Sequence, residues 1–253
     1  MRVMRRLGIF TVLLLLVLTV LLLGPTFNLL SGRATLVGDW SKASRHSAGI
    51  APDAARTPEA IVQVFAARAF RWKGAFAVHS WIAVKPENAP EYITYEVVGW
   101  YIDDGAGAIQ THTGAPDRHW YGAKPQLLGE IRGPEAKSAI KRIQQAVESY
   151  PYKGTYRSWP GPNSNSFVAY ILRRVPELQI DLPPTAIGKD FLGGANLVAR
   201  APSRKGVQFS LYGVFGALLA LEEGIEFNLL GLSFGIDPGD LALRLPGFGL
   251  IKP

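Results

Sequence analysis

The sequence predicts an α+β protein in which one N-terminal transmembrane helix precedes a domain with a central antiparallel sheet and packed helices. Residues 7–24 form an apolar run without a charged side chain. Segments rich in β-branched and aromatic residues follow between 60 and 101, and two stretches between 134 and 175 carry helix start and stop signals. Of 253 residues, 48% are hydrophobic and 19% charged, which is typical of folded rather than disordered chains.

Composition excludes several function classes. The chain contains no cysteine, which excludes disulfide frameworks, thiolate zinc sites, iron–sulfur clusters and thiol nucleophiles. The net charge is +7, but Arg2, Arg5 and Arg6 supply three of these charges, and the rest are dispersed. We therefore expect no nucleic acid as a partner. No motif predicts a cofactor.

Residues 1–30 are predicted to form a cytoplasmic basic tip and a transmembrane anchor. A helix of about 20 apolar residues crosses a bilayer core of about 30 Å. Basic flanks stay in the cytoplasm, so the rest of the chain should lie outside it. In a bacterium this predicts a single-pass inner-membrane protein whose bulk is periplasmic, with the lipid bilayer as a partner. A cleaved signal peptide is the alternative, favoured by the basic start and weakened by the long apolar stretch.

Residues 31–57 are rich in Gly, Ser, Ala and Arg, which predicts a linker that lifts the domain off the bilayer. The extracytoplasmic globular domain then covers 58–253. Its first part, at 60–70 and 75–85, is predicted to form a β-hairpin, and the alternation over 91–101 predicts a third strand.

The region from 103 to 125 is predicted to be a loop because glycines recur in it. A helix is predicted over 134–150, where Pro134 suits the first turn and Ile140, Ile143 and Val147 form an apolar stripe. A second helix is predicted over 163–175, opened by residues that cap well and closed by Pro176.

The C-terminal region contains two apolar, glycine-containing segments, 207–221 and 225–236, joined by an acidic turn at Glu222 and Glu223. This pattern predicts a hairpin or a helix–strand pair. We favour burial of these segments in the core, and contact with the bilayer surface is the alternative.

Two residues together suggest a catalytic site. His79 lies in the middle of an apolar strand, and Ser164 lies at the start of a predicted helix. A helix N-terminus stabilises a developing oxyanion, here through amides near Asn165, and an imidazole can take the serine proton. Glu96 on the next strand is the leading candidate to orient the imidazole.

Each of these residues also has a plainer interpretation. In this plainer interpretation, Ser164 is an N-cap and His79 is a hydrogen-bonded core residue. Glu96 is then a solvent-facing residue of an edge strand. Trp81, Trp159 and Tyr156 are candidates to line a groove for an acyl chain or a sugar.

Asn163 and Asn165 complete the predicted substrate-binding set of Trp81, Trp159, Asn163 and Asn165. His112, Asp117 and His119 lie within eight residues, but they form no helical i, i+4 pair, so we predict no metal site.

The order of three segments resembles a known fold. AVHSWIAV, EYITYEVVG and NSNSFVAYIL follow one another as in the circularly permuted papain-like (NlpC/P60-type) proteins. In that family a histidine strand precedes the nucleophile helix, which in some branches opens Asn-Cys-Asn-Thr-Phe. This chain has Ser164 where those enzymes have cysteine, and a hydroxyl must lose its proton during attack.

Over residues 62–253 the chain more closely resembles an uncharacterised bacterial membrane-protein family, a domain of unknown function. The shared motifs are HSWIAVKP, GAKP, WPGPNSNSF, LPPTAIGKD and LLGLSFGIDP. This second resemblance implies no activity.

The papain-like resemblance implies a hydrolase or acyltransferase acting on an amide or ester of envelope lipid or peptidoglycan. Ser164 would be the nucleophile, His79 the base and Glu96 the orienting residue, with no cofactor. The alternative is an inactive homologue that serves as a binding or scaffold module of the inner membrane. A third possibility is a partner of a membrane complex recruited through the apolar C-terminal region.

Overall fold

The chain begins with a long apolar helix, α1 (Arg2–Leu30). The computed structural model describes residues 2–194 and 196–253. The side chain of Arg2, part of the predicted basic tip, lies outside what is described. Within α1, Gly8–Leu30 is long and apolar enough to cross a membrane.

A five-stranded antiparallel sheet follows, in the order β4-β3-β2-β1-β5. Its strands are β1 (Ile61–Arg68), β2 (Val78–Lys85), β3 (Tyr92–Val97), β4 (Ile109–Gly114) and β5 (Gln126–Arg132). The pairing of β1 with β2 confirms the predicted hairpin, and β3 confirms the third strand. A 3-10 turn at Arg71–Ala75, here called the 71–75 turn, joins the first two strands.

Strand β4 corrects the prediction of a loop over 103–125. It reads IQTHTG, and its residues are exposed or half-buried. Such a polar edge strand has no apolar alternation that could indicate it in the sequence. It is held by the ladder to β3, in which His112 lies opposite Thr94.

Two helices pack on one face of this sheet. They are α2 (Gly133–Glu148) and α3 (Ser164–Leu172), close to their predicted ranges. Val62 and Val64 of β1 and Ile82 of β2 are fully buried against Ile143 of α2 and Phe167 of α3. The sheet therefore provides a rigid base for the start of α3.

A second sheet of seven antiparallel strands occupies the C-terminal region, and its strands pair in chain order. They are β6 (Val198–Arg200), β7 (Gly206–Leu211), β8 (Phe215–Ala220), β9 (Gly224–Leu229), β10 (Leu232–Asp237), β11 (Ala242–Leu245) and β12 (Gly249–Ile251). The predicted hairpin is thus part of a longer meander, and the helix–strand alternative is wrong.

The inner face of the second sheet is polar. Arg244 is fully buried, and its Nε donates to Glu226 Oε2 at 2.8 Å and its Nη2 to Asp181 Oδ1 at 2.9 Å. Lys189 pairs with the other oxygen of Glu226, and Asn228 Nδ2 donates to an Asp190 oxygen at 2.7 Å. This network binds the sheet to the segment from 181 to 190.

The outer face of the same sheet is apolar and exposed. Val207, Leu219 and Phe227 are 58%, 59% and 50% exposed. Core burial was the favoured expectation for 207–236, and for the outward-facing residues it is wrong. The reason is that the polar residues of these strands alternate with the apolar ones and take the inner face.

The end of α1 packs directly on the domain. Asn28 is fully buried, and its Nδ2 donates to Ala75 O at 3.0 Å and to Gly247 O at 2.7 Å. The rings of Phe27 and Phe248 lie 5.5 Å apart. Gly24 is so close to the turn after β11 that a Cβ there would lie 2.1 Å from the carbonyl oxygen of Pro246.

The segment 31–57 makes contacts with the first sheet. Asp117 accepts hydrogen bonds from Ser47 Oγ at 2.7 Å and from the amide of Ile50 at 2.5 Å. Ile50 and Ala54 pack against the buried cluster on the second face of the sheet. The proposed division into anchor, linker and domain at 30/31 and 57/58 stays a prediction.

We expect Arg244→Ala to lower the free energy of unfolding by about 3–5 kcal/mol, because it removes one partner from a buried ionic network. Lys252→Ala is the matched control, since Lys252 and its partner Asp240 are about half exposed. It should change stability by about 1 kcal/mol or less. Urea unfolding of the detergent-solubilised chain measures both. Equal losses would show that the network contributes no more than a surface pair.

Candidate functional site

A cavity of about 610 Å³ lies between the 71–75 turn, β2, the start of α3 and the turn between β9 and β10. Five of the seven predicted site residues line it: His79, Trp159, Asn163, Ser164 and Asn165. The other two are Glu96, which lies behind His79, and Trp81.

The start of α3 is held by Asn163, which corrects the interpretation of Ser164 as the N-cap. Asn163 Oδ1 accepts from the amides of Asn165 at 3.0 Å and Ser166 at 3.1 Å. Ser166 Oγ accepts in return from the Asn163 amide at 2.7 Å, which completes a capping box. Ser164 is the first residue of the helix, and its hydroxyl has no capping role.

The Ser164 hydroxyl makes no hydrogen bond within residues 2–194 and 196–253, and it is not sealed from solvent. The residue is nonetheless buried, with 3% of its surface exposed. Ser164 is one of the residues that line the cavity.

Asn165 fastens α3 to β2 on both sides of His79. Its Nδ2 donates to Val78 O at 3.0 Å, and its Oδ1 accepts from Ser80 Oγ at 2.8 Å. Val78 and Ser80 are the two chain neighbours of His79. This side chain thereby brings Ser164 and His79 to the wall of one cavity.

Glu96 engages the imidazole of His79, as predicted for an orienting residue. His79 Nε2 and Glu96 Oε2 are 2.8 Å apart, and both residues are buried. The interpretation of Glu96 as solvent-facing is wrong, since it is 2% exposed. Its second oxygen binds His112 Nε2 at 2.8 Å and also Arg118.

The charges of this pair follow from its surroundings. Burial alone would raise the pKa of Glu96, but hydrogen bonds from His112 and His79 outweigh it and hold the pKa well below its usual range. Burial lowers the pKa of His79, and Glu96 only partly opposes this. An ionised carboxylate only accepts, so neutral His79 carries its hydrogen on Nε2. The Nδ1 lone pair is left free to accept a proton.

Trp120 holds the imidazole from one side, a contact that the sequence did not indicate. The two rings stack 3.5 Å apart at 6°. Trp100 stacks in turn on Trp120 and is 56% exposed. Both tryptophans lie in irregular segments, and only the folded chain brings them to His79.

Trp81 does not line the cavity, which corrects its predicted role. It is 1% exposed, stacks on Phe65 and donates its indole hydrogen to Pro116 O at 2.8 Å. Trp159 does line it, is half exposed and donates to Leu230 O at 2.9 Å. Tyr156 also lines the cavity, where its ring packs on Gly99.

The predicted oxyanion donors near Asn165 are already occupied. The amides of Asn165 and Ser166 both donate to the Asn163 side chain, so neither can bind an oxyanion while the cap is intact. The sequence predicts capping residues at this turn, but it does not indicate that the cap takes up the same amides that an oxyanion would need.

The loop residues considered as metal ligands each bind a different part of the chain. His112 binds Glu96, Asp117 binds the segment 47–51, and His119 Nδ1 contacts His46 O at 2.8 Å. Within residues 2–194 and 196–253, no group of three or more His, Cys, Asp or Glu side chains could hold a metal ion.

Residues 59–191 match the model of a family described as protein of unknown function (DUF3750). The matched range contains His79, Glu96 and Ser164, and it ends before the second sheet begins. No curated protein and no solved structure matches the chain.

Between pH 7.5 and 5.5 we expect His79 to lower the free energy of unfolding as the pH falls, while Asp181, whose pKa burial raises to about 6, contributes in the opposite direction. The pKa of His79 is below 6.5 in the folded chain, so the unfolded chain binds more protons as the pH falls through 6.5. Glu96 adds no slope there, because its carboxylate is ionised in both states above its ordinary pKa of 4.5. Urea unfolding at the two pH values measures the change.

His79→Gln should reduce this dependence, whereas His46→Gln, a substitution of an exposed histidine, should retain it. Equal pH dependence in the parent chain and His79→Gln would contradict a depressed pKa at His79.

Proposed function

This chain belongs to the DUF3750 family of proteins of unknown function, and we propose that it transfers or hydrolyses an acyl group through Ser164. The observation that carries this proposal is the shared cavity wall. Ser164 Oγ is unbonded there among the described residues, and on the wall of the same cavity His79 is held by Glu96 at 2.8 Å with Nδ1 free.

The proposed reaction is an acyl transfer in two steps. Ser164 Oγ attacks the carbonyl carbon of an amide or ester, and its proton passes to His79 Nδ1. The bond to the leaving amine or alcohol breaks, and that group takes the proton from the imidazole. Water, or an acceptor alcohol or amine, then attacks the acyl-serine, its proton passes to His79 Nδ1 and on to Ser164 Oγ, and the bond to the serine breaks to release the acyl product. Glu96 stabilises the imidazolium by its negative charge.

The cavity walls favour an amphiphilic substrate. Among the described residues none that lines the cavity is acidic, whereas Arg71 and Lys73 line it on the 71–75 turn. Trp72, Trp100 and Trp159 line it as well and are each at least half exposed. Such a lining suits the apolar chain and anionic group of an envelope lipid better than it suits a peptidoglycan peptide, the other candidate.

The proposed location is the bacterial inner membrane, with α1 as a single-pass anchor and the domain in the periplasm. The support is the length and apolarity of Gly8–Leu30 together with the arginines at 5 and 6 that precede it.

A non-catalytic binding module of the inner membrane is the second candidate. The observation that favours it is the occupied cap, since the amides of Asn165 and Ser166 are not free to stabilise an oxyanion. A module of this kind would keep the cavity and its aromatic residues without a working nucleophile.

We expect a fluorophosphonate probe to label the full chain at Ser164, because the His79 imidazole raises the nucleophilicity of the hydroxyl. Ser164→Ala should abolish labelling. Ser158→Ala is the matched control, since Ser158 lines the same cavity and should not react. In-gel fluorescence and peptide mapping measure the result. A parent chain that stays unlabelled would favour the binding module.

We expect the thiol of Ser164→Cys to react with iodoacetamide at a lower pH than an ordinary thiol, whose pKa is about 8.5. The helix N-terminus and the neighbouring imidazole both favour the thiolate. Because the chain has no other cysteine, the reaction rate reports on this position alone. Ser158→Cys provides the control, and adding His79→Gln to Ser164→Cys should raise the apparent pKa. Identical pH profiles for the two thiols would contradict pairing of Ser164 with His79.

A further inference from the structure

The outer face of the second sheet is a continuous apolar surface. One cross-strand row joins Val207, Leu219, Ile225, Ile236, Leu243 and Ile251 across six strands. Each of these side chains is at least 36% exposed. At about 4.8 Å per strand the row is about 24 Å wide.

A second apolar row runs beside the first one. It includes Phe209, Ala217, Phe227 and Phe234, which lie opposite one another on neighbouring strands. The charged side chain on this face of the described strands is Arg200, on the edge strand β6. An antiparallel sheet with one solvated face normally directs its polar side chains to water. In this sheet the polar face is buried and the apolar face is exposed.

The two ends of the second sheet differ in charge. At one end, the turns 212–214, 230–231 and 246–248 contain no charged residue. At the other end, the turns 201–205, 221–223 and 238–241 carry Arg204, Lys205, Glu222, Glu223 and Asp240. The uncharged end adjoins the cavity through Leu230.

The helix α1 meets the domain at that same uncharged end. Asn28 donates to Gly247 O, and Phe27 packs on Phe248, both in the turn 246–248. The apolar span Gly8–Leu30 has 23 residues, about 34 Å of helix against a hydrocarbon core of about 30 Å. Contacts made by residues 24–28 therefore lie in the last third of the span, about 8–14 Å from its midpoint and within the outer half of one leaflet's hydrocarbon.

We propose that the outer face of the second sheet and its uncharged turns lie against the lipid bilayer, as a second membrane contact beside α1. The apolar face and the uncharged turns require an apolar neighbour. Because the contacts between α1 and these turns lie within the apolar span, that neighbour is lipid. A second copy of the chain would explain a covered apolar face, but not why the uncharged end coincides with the end of the span. The inference depends on α1 as a membrane anchor and not on catalysis by Ser164.

Lipid contact of the sheet would also bring the cavity to the membrane surface. Leu230 and Trp159 border the cavity, and Trp159 is bound to Leu230 O. Exposed tryptophans are typical of membrane interfaces, and Trp72 and Trp100 lie at the same cavity.

The test uses the absence of cysteine from the full chain. Single cysteines are introduced as Val207→Cys and Phe227→Cys on the apolar face, labelled with an environment-sensitive fluorophore. The full chain is reconstituted in vesicles of phosphatidylethanolamine and phosphatidylglycerol that contain spin-labelled lipid. Asp240→Cys, at the charged end, is the matched control, and Leu14→Cys in the middle of α1 reports on the anchor.

We expect the fluorophores at Val207→Cys and Phe227→Cys to be quenched more strongly by spin-labelled lipid than the one at Asp240→Cys. Quenching at Leu14→Cys without quenching on the sheet would overturn the inference and leave the anchor intact. Absence of quenching at both would overturn the anchor as well. In a separate sample, a nitroxide replaces the fluorophore at Phe227→Cys. Spin–spin proximity between copies there, with no lipid quenching of the fluorophore, would identify a dimer face and overturn lipid contact. Labelling of Ser164 by the fluorophosphonate probe reports separately on catalysis.

Discussion

The site depends on two asparagine side chains at the start of α3. Asn163 satisfies the first amides of the helix, which removes that task from Ser164. Asn165 then joins the helix to the two neighbours of His79. Both asparagines also donate to Ile187 O, at 3.0 Å and 2.8 Å, so the segment before the second sheet is tied to the same point. A Cβ at Gly188 would lie 2.2 Å from Asn163 Nδ2, so only glycine allows this approach.

The second sheet shows how a buried ionic network can determine which face of a sheet is turned inward. Glu226 is held by Lys189 and Arg244 together, and burial, which alone would raise its pKa, is outweighed so that the pKa is lowered. These charged groups need partners, and the partners lie on the segment from 181 to 190. Burial of the polar face leaves the apolar residues outside. The proposed lipid contact of this face makes that outcome compatible with stability, because lipid would cover the exposed apolar residues.

Sequence reasoning predicted the local features well because each has a local signal. The hairpin of β1 and β2 follows from β-branched runs, and α2 follows from its proline and apolar stripe. His79 and Ser164 are indicated by an imidazole in an apolar strand and a serine at a helix start, and the structure brings both to one cavity with Glu96 of the next strand behind the imidazole. The resemblance to papain-like proteins rests on the order of the elements and one five-residue motif, and it stays a prediction.

The features that sequence reasoning missed depend on contacts distant in the chain. Trp120 reaches His79 from a segment with no regular pattern, and β4 is held by its neighbour alone. Trp81 differs from the expectation because adjacent strands bury it, which an aromatic residue in a strand does not reveal. For 207–236 the apolar residues were visible, but which face they occupy follows from the partners of Arg244 and Glu226.

The contacts at the end of α1 also fix the orientation of the domain relative to this helix. Asn28 bonds to two separate parts of the domain, the 71–75 turn and the turn after β11, and a helix held at two points cannot swivel freely. A helix attached in this way connects rigidly to the domain and does not act as a flexible linker. In the proposed arrangement, with α1 across the bilayer, the opening of the cavity stays at a constant height above the membrane. Molecules that diffuse laterally within the leaflet then reach it by a two-dimensional search instead of a three-dimensional one.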